Sequence, residues 1–415
     1  MRVLFLSEYY PYDLPIEVAG VFQRMRMLLD ALTGLGTVDI LFFTPEGVDT
    51  SPSGSRRFEA KLFAHWGLRA NVFFRQQQPS PPRFFLSRVP FWARCVASGA
   101  VAYYSRRLNL NNSHPPSVEA LERCLDRRPD LILACRLGTM APLLMTRRLL
   151  PPVFFDLDDA EHVRALRLAG NVGSLLSRAE ACATAPILLW SEWRAMQLAR
   201  ATFVCSERDL HRFRHFPRHG HRAVVPNTLP MPAPEPPACE PSLLFIGFYG
   251  YPSNVEAADF LVREIWPQVH AQQPGARLLI AGPEPERIPA LAGRPAGVEI
   301  LGFVEDLPAL YRRTRVVCCP IRVAGGTRIK ILEAASYGRP IVSTRVGAEG
   351  LDLRDGEEIL LRDDPQSFAA ACVELLKDTA SAERLGTAAR AAMARRYDRA
   401  ATVRRIRDLI TAGLS

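Results

Sequence analysis

The sequence predicts an α/β protein built from two Rossmann-like domains. Three observations predict it. Short apolar strands alternate with helical segments, the mark of a parallel sheet. That series runs twice, on either side of a proline-rich stretch. At 415 residues the chain is too long for one ordinary core. An apolar fraction of 48% with 23% charged residues excludes a disordered polymer or a fibre.

The opening VLFLS reads as a short buried strand. A loop follows, then a helix around VFQRMRMLLDALTGLG that ends at glycine, then the strand VDILFF. DLILAC (130–135), VFFDL (153–157), ATFVC (201–205) and AVVPN (223–227) continue the series. TLPMPAPEPPACEPS holds six prolines in fifteen residues, too many for a helix or a central strand. A second series follows: SLLFIG (242–247), ARLLIAG (276–282), VEILG (298–302), RVVCCP (315–320), PIVST (340–344) and EEILL (357–361). From Gln366 onward the chain is helical and rich in Ala and Arg. The expected organisation is a first domain over 1–225, a linker over 226–241, a second domain over 242–385 and a helical segment over 386–415. Ligand is expected where strand C-termini face the interdomain cleft.

Residues 83–108 interrupt the pattern. Arg83, Arg88, Arg94, Arg106 and Arg107 accompany Phe84, Phe85, Phe91, Trp92, Tyr103 and Tyr104. This basic, aromatic mixture suits a helical insertion that meets a membrane or a lipid-borne acceptor. A helical hairpin burying its aromatics in the first domain is the simpler reading, since the charges do not form an unbroken face. Charge is also uneven. Residues 1–225 hold 29 Lys+Arg against 20 Asp+Glu, and residues 226–415 hold 23 of each. The net charge of +9 therefore lies wholly in the first half. It indicates an anionic partner there, or a drift toward arginine, since only Lys61, Lys330 and Lys377 are lysines. The N-terminus lacks the features of a signal peptide, and the longest apolar stretch, 181–190, is too short for a bilayer. Nine unpaired-looking cysteines read as reduced core thiols of a cytoplasmic protein.

The stretch richest in chemistry is AGGTRIKILEAASYGRP, residues 324–340. Gly325 and Gly326 let the backbone approach a ligand. A helix starting near Thr327 would aim free N–H groups at the same spot, an anion site. Arg328 and Lys330 add full charge. Glu333, one turn beyond Lys330, can accept from two vicinal sugar hydroxyls. Phosphate at the helix start and ribose one turn along describe a nucleotide diphosphate.

With these residues in place, the second half resembles retaining GT-B glycosyltransferases of family four (glycosyl transferases group 1). The matching elements are Leu244-Phe245-Ile246-Gly247, Pro252-Ser253-Asn254, Ile280-Ala281-Gly282-Pro283, Leu301 to Asp306 with Tyr311, and GGTRIKILEAASYGRPIVSTRVGAEGL. Val225-Pro226-Asn227 is similar to the family's "PNG" turn, and Ala19-Gly20-Val21 to its "GGV" loop. The resemblance implies a GT-B fold of two Rossmann-like domains facing a central cleft, with a C-terminal helix packing back on the first. It implies transfer of a sugar from a nucleotide-diphosphate sugar, UDP favoured, to a hydroxyl acceptor, with no metal and no cofactor beyond the donor. Glu333 would hold the ribose. Gly325, Gly326, Thr327 and Ile329 would face the donor sugar and diphosphate. Phe303 and Val304 would form the base turn. Gly20 and Gly247 would line the donor loops, with Asn254 beyond Gly247.

The departures shape the assignments. Many members carry a first glutamate where this chain has Gly325, and an Arg and Lys-Gly pair where it has FYGYPSNVEAADF. That raises the weight on Arg328 and Lys330 as the diphosphate clamp. One such donor removed typically lowers the rate by about 10² to 10³. A histidine common at the end of a first-domain strand is replaced by Asp158, with His162 an alternative. Either could orient the acceptor hydroxyl. Asp156-Leu157-Asp158 spells a metal-binding D-x-D, and His211, His215, His219 and His221 form a histidine-rich run. Both are read as not metal sites, and Cys318-Cys319 as core. The acceptor is expected to be a lipid-linked or surface glycan or a small aglycone. No nucleic-acid motif appears. The rival readings are a nucleotide-sugar epimerase and an inactive scaffold on the same fold.

Overall fold

The computed structural model describes the chain except residues 12–19, 78–111, 113, 172–174, 217–219, 234–239, 324 and 415. The expected insertion over 83–108 lies outside the described residues, as do residues 234–239 of the proline-rich stretch. The chain divides into two compact units. Unit 1 holds Met1–Pro226 with Ala400–Ser415, and unit 2 holds Asn227–Arg399.

Unit 1 carries a parallel sheet of β1 (Arg2–Ser7), β2 (Thr37–Thr44), β3 (Ala70–Gln76), β4 (Leu131–Cys135), β5 (Val153–Asp158), β6 (Ala201–Val204) and β7 (His221–Val224). Their order is β3-β2-β1-β4-β5-β6-β7. Helices cover both faces, so the strands are near-continuous apolar runs. In β1, Val3 and Phe5 enter one core cluster while Leu4 and Leu6 enter the opposite one. The edge strand β3 is not evident in the sequence. Its polar neighbours and partial exposure give NVFFRQ no clean strand pattern. The helix Pro52–Trp66 before it is legible only in its caps. The Ser51 side chain accepts from the Gly54 N–H, and Gly67 closes the helix at φ 66°.

Unit 2 carries a second parallel sheet: β8 (Ser242–Ile246), β9 (Arg277–Ala281), β10 (Val298–Gly302), β11 (Val316–Cys319), β12 (Ile341–Ser343) and β13 (Leu360–Leu361). The order is β10-β9-β8-β11-β12-β13. One cluster of buried side chains, from Leu229 through Tyr397, holds this unit together.

The C-terminal helices divide between the units, which differs from the single segment expected over 386–415. The helix Thr379–Arg396 stays in unit 2, where a Cβ on Gly386 would fall 2.1 Å from the Gly338 carbonyl oxygen. The helix Arg399–Leu414 packs back on unit 1, as expected of the C-terminal helix. There Ile406 and Ile410 are buried with Phe154 and Phe203. Arg407 donates to the Ala31 and Asp30 carbonyls at 3.0 and 2.7 Å. Among the described cysteines Cys182 is exposed, unlike the others, so it departs from the core-thiol expectation. Among the described residues no helix is long and apolar enough to cross a membrane.

Candidate active site

In unit 2 the predicted residues gather at the C-terminal ends of β8 and β11. The helix Ile329–Ser336 begins two residues later than expected, with Arg328 as its N-cap residue and no side-chain capping bond. Its first-turn N–H groups therefore lack a side-chain cap. Gly326 sits at φ 62°, a conformation that a residue with a Cβ resists. The Arg328 guanidinium donates to the Gly325 and Gly326 carbonyls. Its charge thus acts from inside the loop and fixes the turn. The Asn227 amide donates to Thr327 Oγ1 at 2.8 Å, tying the loop to the start of unit 2.

Lys330 reaches across to the loop after β8. Its Nζ donates to Asn254 Oδ1 at 3.0 Å and lies 4.3 Å from the Phe245 ring centroid. Asn254 in turn donates to the Phe248 carbonyl at 2.8 Å. Gly247 closes this cluster. A Cβ there would fall 3.0 Å from the Asn254 amide and 3.1 Å from Lys330 Nζ. Gly282 lets β9 approach, since a Cβ on it would meet the Gly247 carbonyl oxygen at 1.8 Å. Burial pulls the Lys330 ammonium down to about 8, with nearby Glu333 opposing. At neutral pH it still carries most of its charge. It has a neutral amide and an aromatic face as partners, leaving hydrogen-bond capacity for an anion.

Glu333 receives the Tyr311 hydroxyl at 2.9 Å on Oε2. Tyr311 is buried and stacks on Tyr337 with centroids 4.2 Å apart and planes 10° from parallel. Burial pushes the Glu333 carboxyl up to about 7, against the Tyr311 hydrogen bond and the Lys330 charge. Phe303 is exposed beyond β10, and Val304 packs on the core. They lie at the end of a strand whose pairing with β9 shifts register after Ile300.

In unit 1 the D-x-D carboxylates are each engaged by arginine. Arg24 donates to both oxygens of buried Asp156, at 2.8 and 2.5 Å. Arg136 pairs with Asp158 at 2.5 Å, and Cys205 donates to the other Asp158 oxygen at 3.0 Å. Asp158 at φ 57° and Arg136 at φ 69° end neighbouring strands in the left-handed region. His162 turns Nδ1 to the buried Glu192 carboxyl at 2.5 Å. Asp158 and His162 therefore have separate carboxylate and arginine partners. Gly20 opens the helix Gly20–Thr33. His211 and His215 both contact Arg214. Among the described residues no group of three His, Cys, Asp or Glu side chains is gathered as a metal site requires.

Comparisons with known proteins now bear on this arrangement. Residues 240–378 match the family model described as glycosyl transferases group 1. Sucrose-phosphate synthase from Thermosynechococcus elongatus superposes with a TM-score of 0.68 at 18% identity, over 99% of this chain and 98% of that one. HepE from Anabaena, solved with UDP-glucose, superposes with a TM-score of 0.67 at 14% identity, over 99% and 100%. The fold is GT-B. An uncharacterized 44.6 kDa protein in the cps region of Klebsiella pneumoniae is 23% identical over 165 residues, which are 38% of this chain. The match spans 42% of that curated relative's length.

Gly247, Asn254, Lys330, Thr327 and Glu333, named from the sequence, all lie in unit 2, and sequence reasoning linked them by motif alone. It missed Tyr311 as the donor to Glu333, and Asn227 as the donor to Thr327. The partners are 22 and 100 residues apart in sequence, and only tertiary packing brings them into contact.

Proposed function

We propose that the chain is a retaining glycosyltransferase. It moves a sugar from a nucleotide-diphosphate sugar, UDP favoured, to a hydroxyl acceptor, without a metal or further cofactor. One observation carries the reading: the helix Ile329–Ser336 places an uncapped N-terminus, Lys330 and Glu333 in succession along one surface, behind a glycine turn. That order suits diphosphate, then ribose, and it falls inside the 240–378 family match. HepE, similar in fold, was solved with UDP-glucose, which supports the choice of carrier.

In this mechanism the departing phosphate meets the helix N–H groups and Lys330, with Arg328 holding the turn that presents them. The phosphate itself can receive the acceptor proton, as drawn for same-face attack. Phe303 and Val304 bound the base, Gly325, Gly326 and Ile329 the diphosphate and sugar, Gly20 belongs to a donor loop carried by the first unit, and Asp158 orients the acceptor hydroxyl. We assign the chain to the cytoplasm on its scattered, unpaired cysteines, and favour a lipid-linked or surface glycan as acceptor because the excess positive charge lies in the first half.

A thermal-shift screen across nucleotides and nucleotide sugars tests the donor. UDP ligands should raise the melting temperature; no response to any nucleotide would return the chain to a scaffold. Product configuration by NMR tests retention, and an inverted anomer would overturn it. Transfer unchanged in EDTA supports the metal-free reading, and abolition would restore the D-x-D. Cosedimentation with anionic vesicles that weakens as salt rises supports a membrane-borne acceptor. No association at low salt would assign the charge to arginine drift.

A further inference from the structure

Lys330 meets the loop after β8 through Asn254, 76 residues away along the chain. That loop is fixed in place. The Gly247 N–H donates to the Ala281 carbonyl at 3.0 Å, and the hydroxyl of buried Tyr249 donates to the same carbonyl at 3.1 Å. The Phe248 carbonyl receives the Tyr251 N–H at 3.2 Å and the Asn254 amide at 2.8 Å. Asn254 sits in the first turn of the helix Pro252–Phe260, and its own N–H donates to the Tyr251 carbonyl at 3.0 Å.

Both ends of the Asn254 side chain face protein groups that match them. The amide nitrogen faces a carbonyl, and the amide oxygen faces an ammonium. The reverse orientation would set donor against donor and acceptor against acceptor, so the network settles which end is which. Asn254 thus links the Lys330 ammonium to the backbone of the β8 loop. A lysine ammonium rides on a flexible four-carbon stem, and ordering that stem costs conformational entropy. With the link in place the ordering is done in folding, before any ligand arrives. Position 247 has to stay free of a side chain for the contact to form, since a Cβ there would fall 3.0 Å from the Asn254 amide and 3.1 Å from Lys330 Nζ.

The neutrality of the link matters as much as its position. A carboxylate at 254 would hold the ammonium equally well but would cancel the charge that an anion needs. An amide oxygen orients the ammonium and leaves its charge for the ligand. The titratable groups that act on Lys330 by charge are Glu333 on its own helix, Arg328 at the start of that helix and Cys319 at the end of β11.

We propose that Asn254 is a positioning residue: it holds the Lys330 ammonium, with its charge intact, where the donor diphosphate binds, and itself touches no donor atom. The assignment rests on the glycosyltransferase reading above, and every residue in it belongs to unit 2.

The test compares wild type with Asn254→Ala and Asn254→Asp, with UDP and uridine as probes in titration calorimetry. Uridine keeps the base and ribose and lacks the diphosphate. Asn254→Ala leaves the ammonium loose, so UDP should bind about three- to tenfold more weakly, with uridine bound as in wild type. Asn254→Asp keeps the anchor and cancels the charge, so UDP should bind more weakly still, again with uridine unchanged. Equal UDP affinity in wild type and Asn254→Ala would overturn the assignment. So would an equal loss for UDP and uridine, the mark of a residue that merely shapes the site. UDP bound by Asn254→Asp as tightly as by wild type would overturn the need for a neutral link, and the assignment with it. No UDP binding by wild type would instead overturn the donor reading on which the assignment rests.

The pH profile supplies a second readout. Wild-type UDP affinity should fall as pH rises through about 8, where Lys330 gives up its proton. A carboxylate at 254 favours the charged ammonium, so in Asn254→Asp that fall should move to higher pH. A fall at the same pH in both proteins would separate residue 254 from the ammonium and sink the proposal.

Discussion

The ends of the two sheets handle buried charge in opposite ways. In unit 1, carboxylates and guanidinium groups neutralise each other: Arg24 grips Asp156 and Arg136 grips Asp158. In unit 2, Lys330 and Glu333 stand one helical turn apart without an ion pair. Their partners are an amide and a phenol, Asn254 and Tyr311. Burial drives both toward neutrality, Lys330 down to about 8 and Glu333 up to about 7. A buried charge already paired serves the fold. A buried charge held by neutral groups keeps capacity for a ligand.

The largest expected effect would break that contrast at Arg24. Arg24→Met leaves Asp156 buried and unpaired and should destabilise by about 3–5 kcal/mol. Adding Asp156→Leu should recover most of the loss. Chemical denaturation measures both, and a single variant within about 1 kcal/mol of wild type would remove the structural reading of the D-x-D.

Next comes Lys330→Met. Turnover should fall by about 10² to 10³, equivalent to about 3–4 kcal/mol, while folding stability stays close to wild type or improves. Unchanged initial rates would sink the diphosphate clamp.

A smaller effect is expected at Glu333. Its folded carboxyl lies above the ordinary value of 4.5, at about 7. Its contribution to stability is therefore full below about 4.5 and is lost as pH rises to about 7. Glu333→Gln should melt increasingly above wild type over that range, yet bind UDP more weakly by about 1–3 kcal/mol. Titration calorimetry showing equal UDP affinity would end the ribose assignment.

The smallest effect sharpens the comparison inside unit 2. Away from the site, Glu358 is paired in the manner of unit 1, with Arg396 at 2.8 Å, Arg354 at 3.2 Å and Arg395 at 3.3 Å. Burial opposes its charge, but hydrogen bonds from Arg396 and Arg354 hold it down at about 2. Its stabilisation is present above about 4.5 and is lost as pH falls toward 2. Glu358→Gln should lower stability by about 1 kcal/mol at neutral pH, with no change in nucleotide binding. Acid melts that fail to converge as pH falls toward 2 would argue against the pair.

Much of the arrangement was readable from one strand of text. Apolar runs such as VLFLS and SLLFIG are buried on both faces, so the sequence itself marks a parallel sheet covered by helices. The glycine turn, Lys330 and Glu333 fall within nine residues, and one short helix suffices to align them. Local order of this kind is written in the chain because neighbouring residues share one backbone geometry. Tyr311 on Glu333, Asn254 on Lys330 and Arg24 on Asp156 are of another kind, separated by 22, 76 and 132 residues. No local pattern records such pairs, since packing of distant strands and helices brings them together. The same holds for Glu8, whose carboxyl lies beside Gly138 because β1 pairs with β4. The sequence determined which residues could carry the chemistry. Tertiary packing decided which charges are paired and which remain open to a ligand, because desolvation and partner distance exist only in the folded chain.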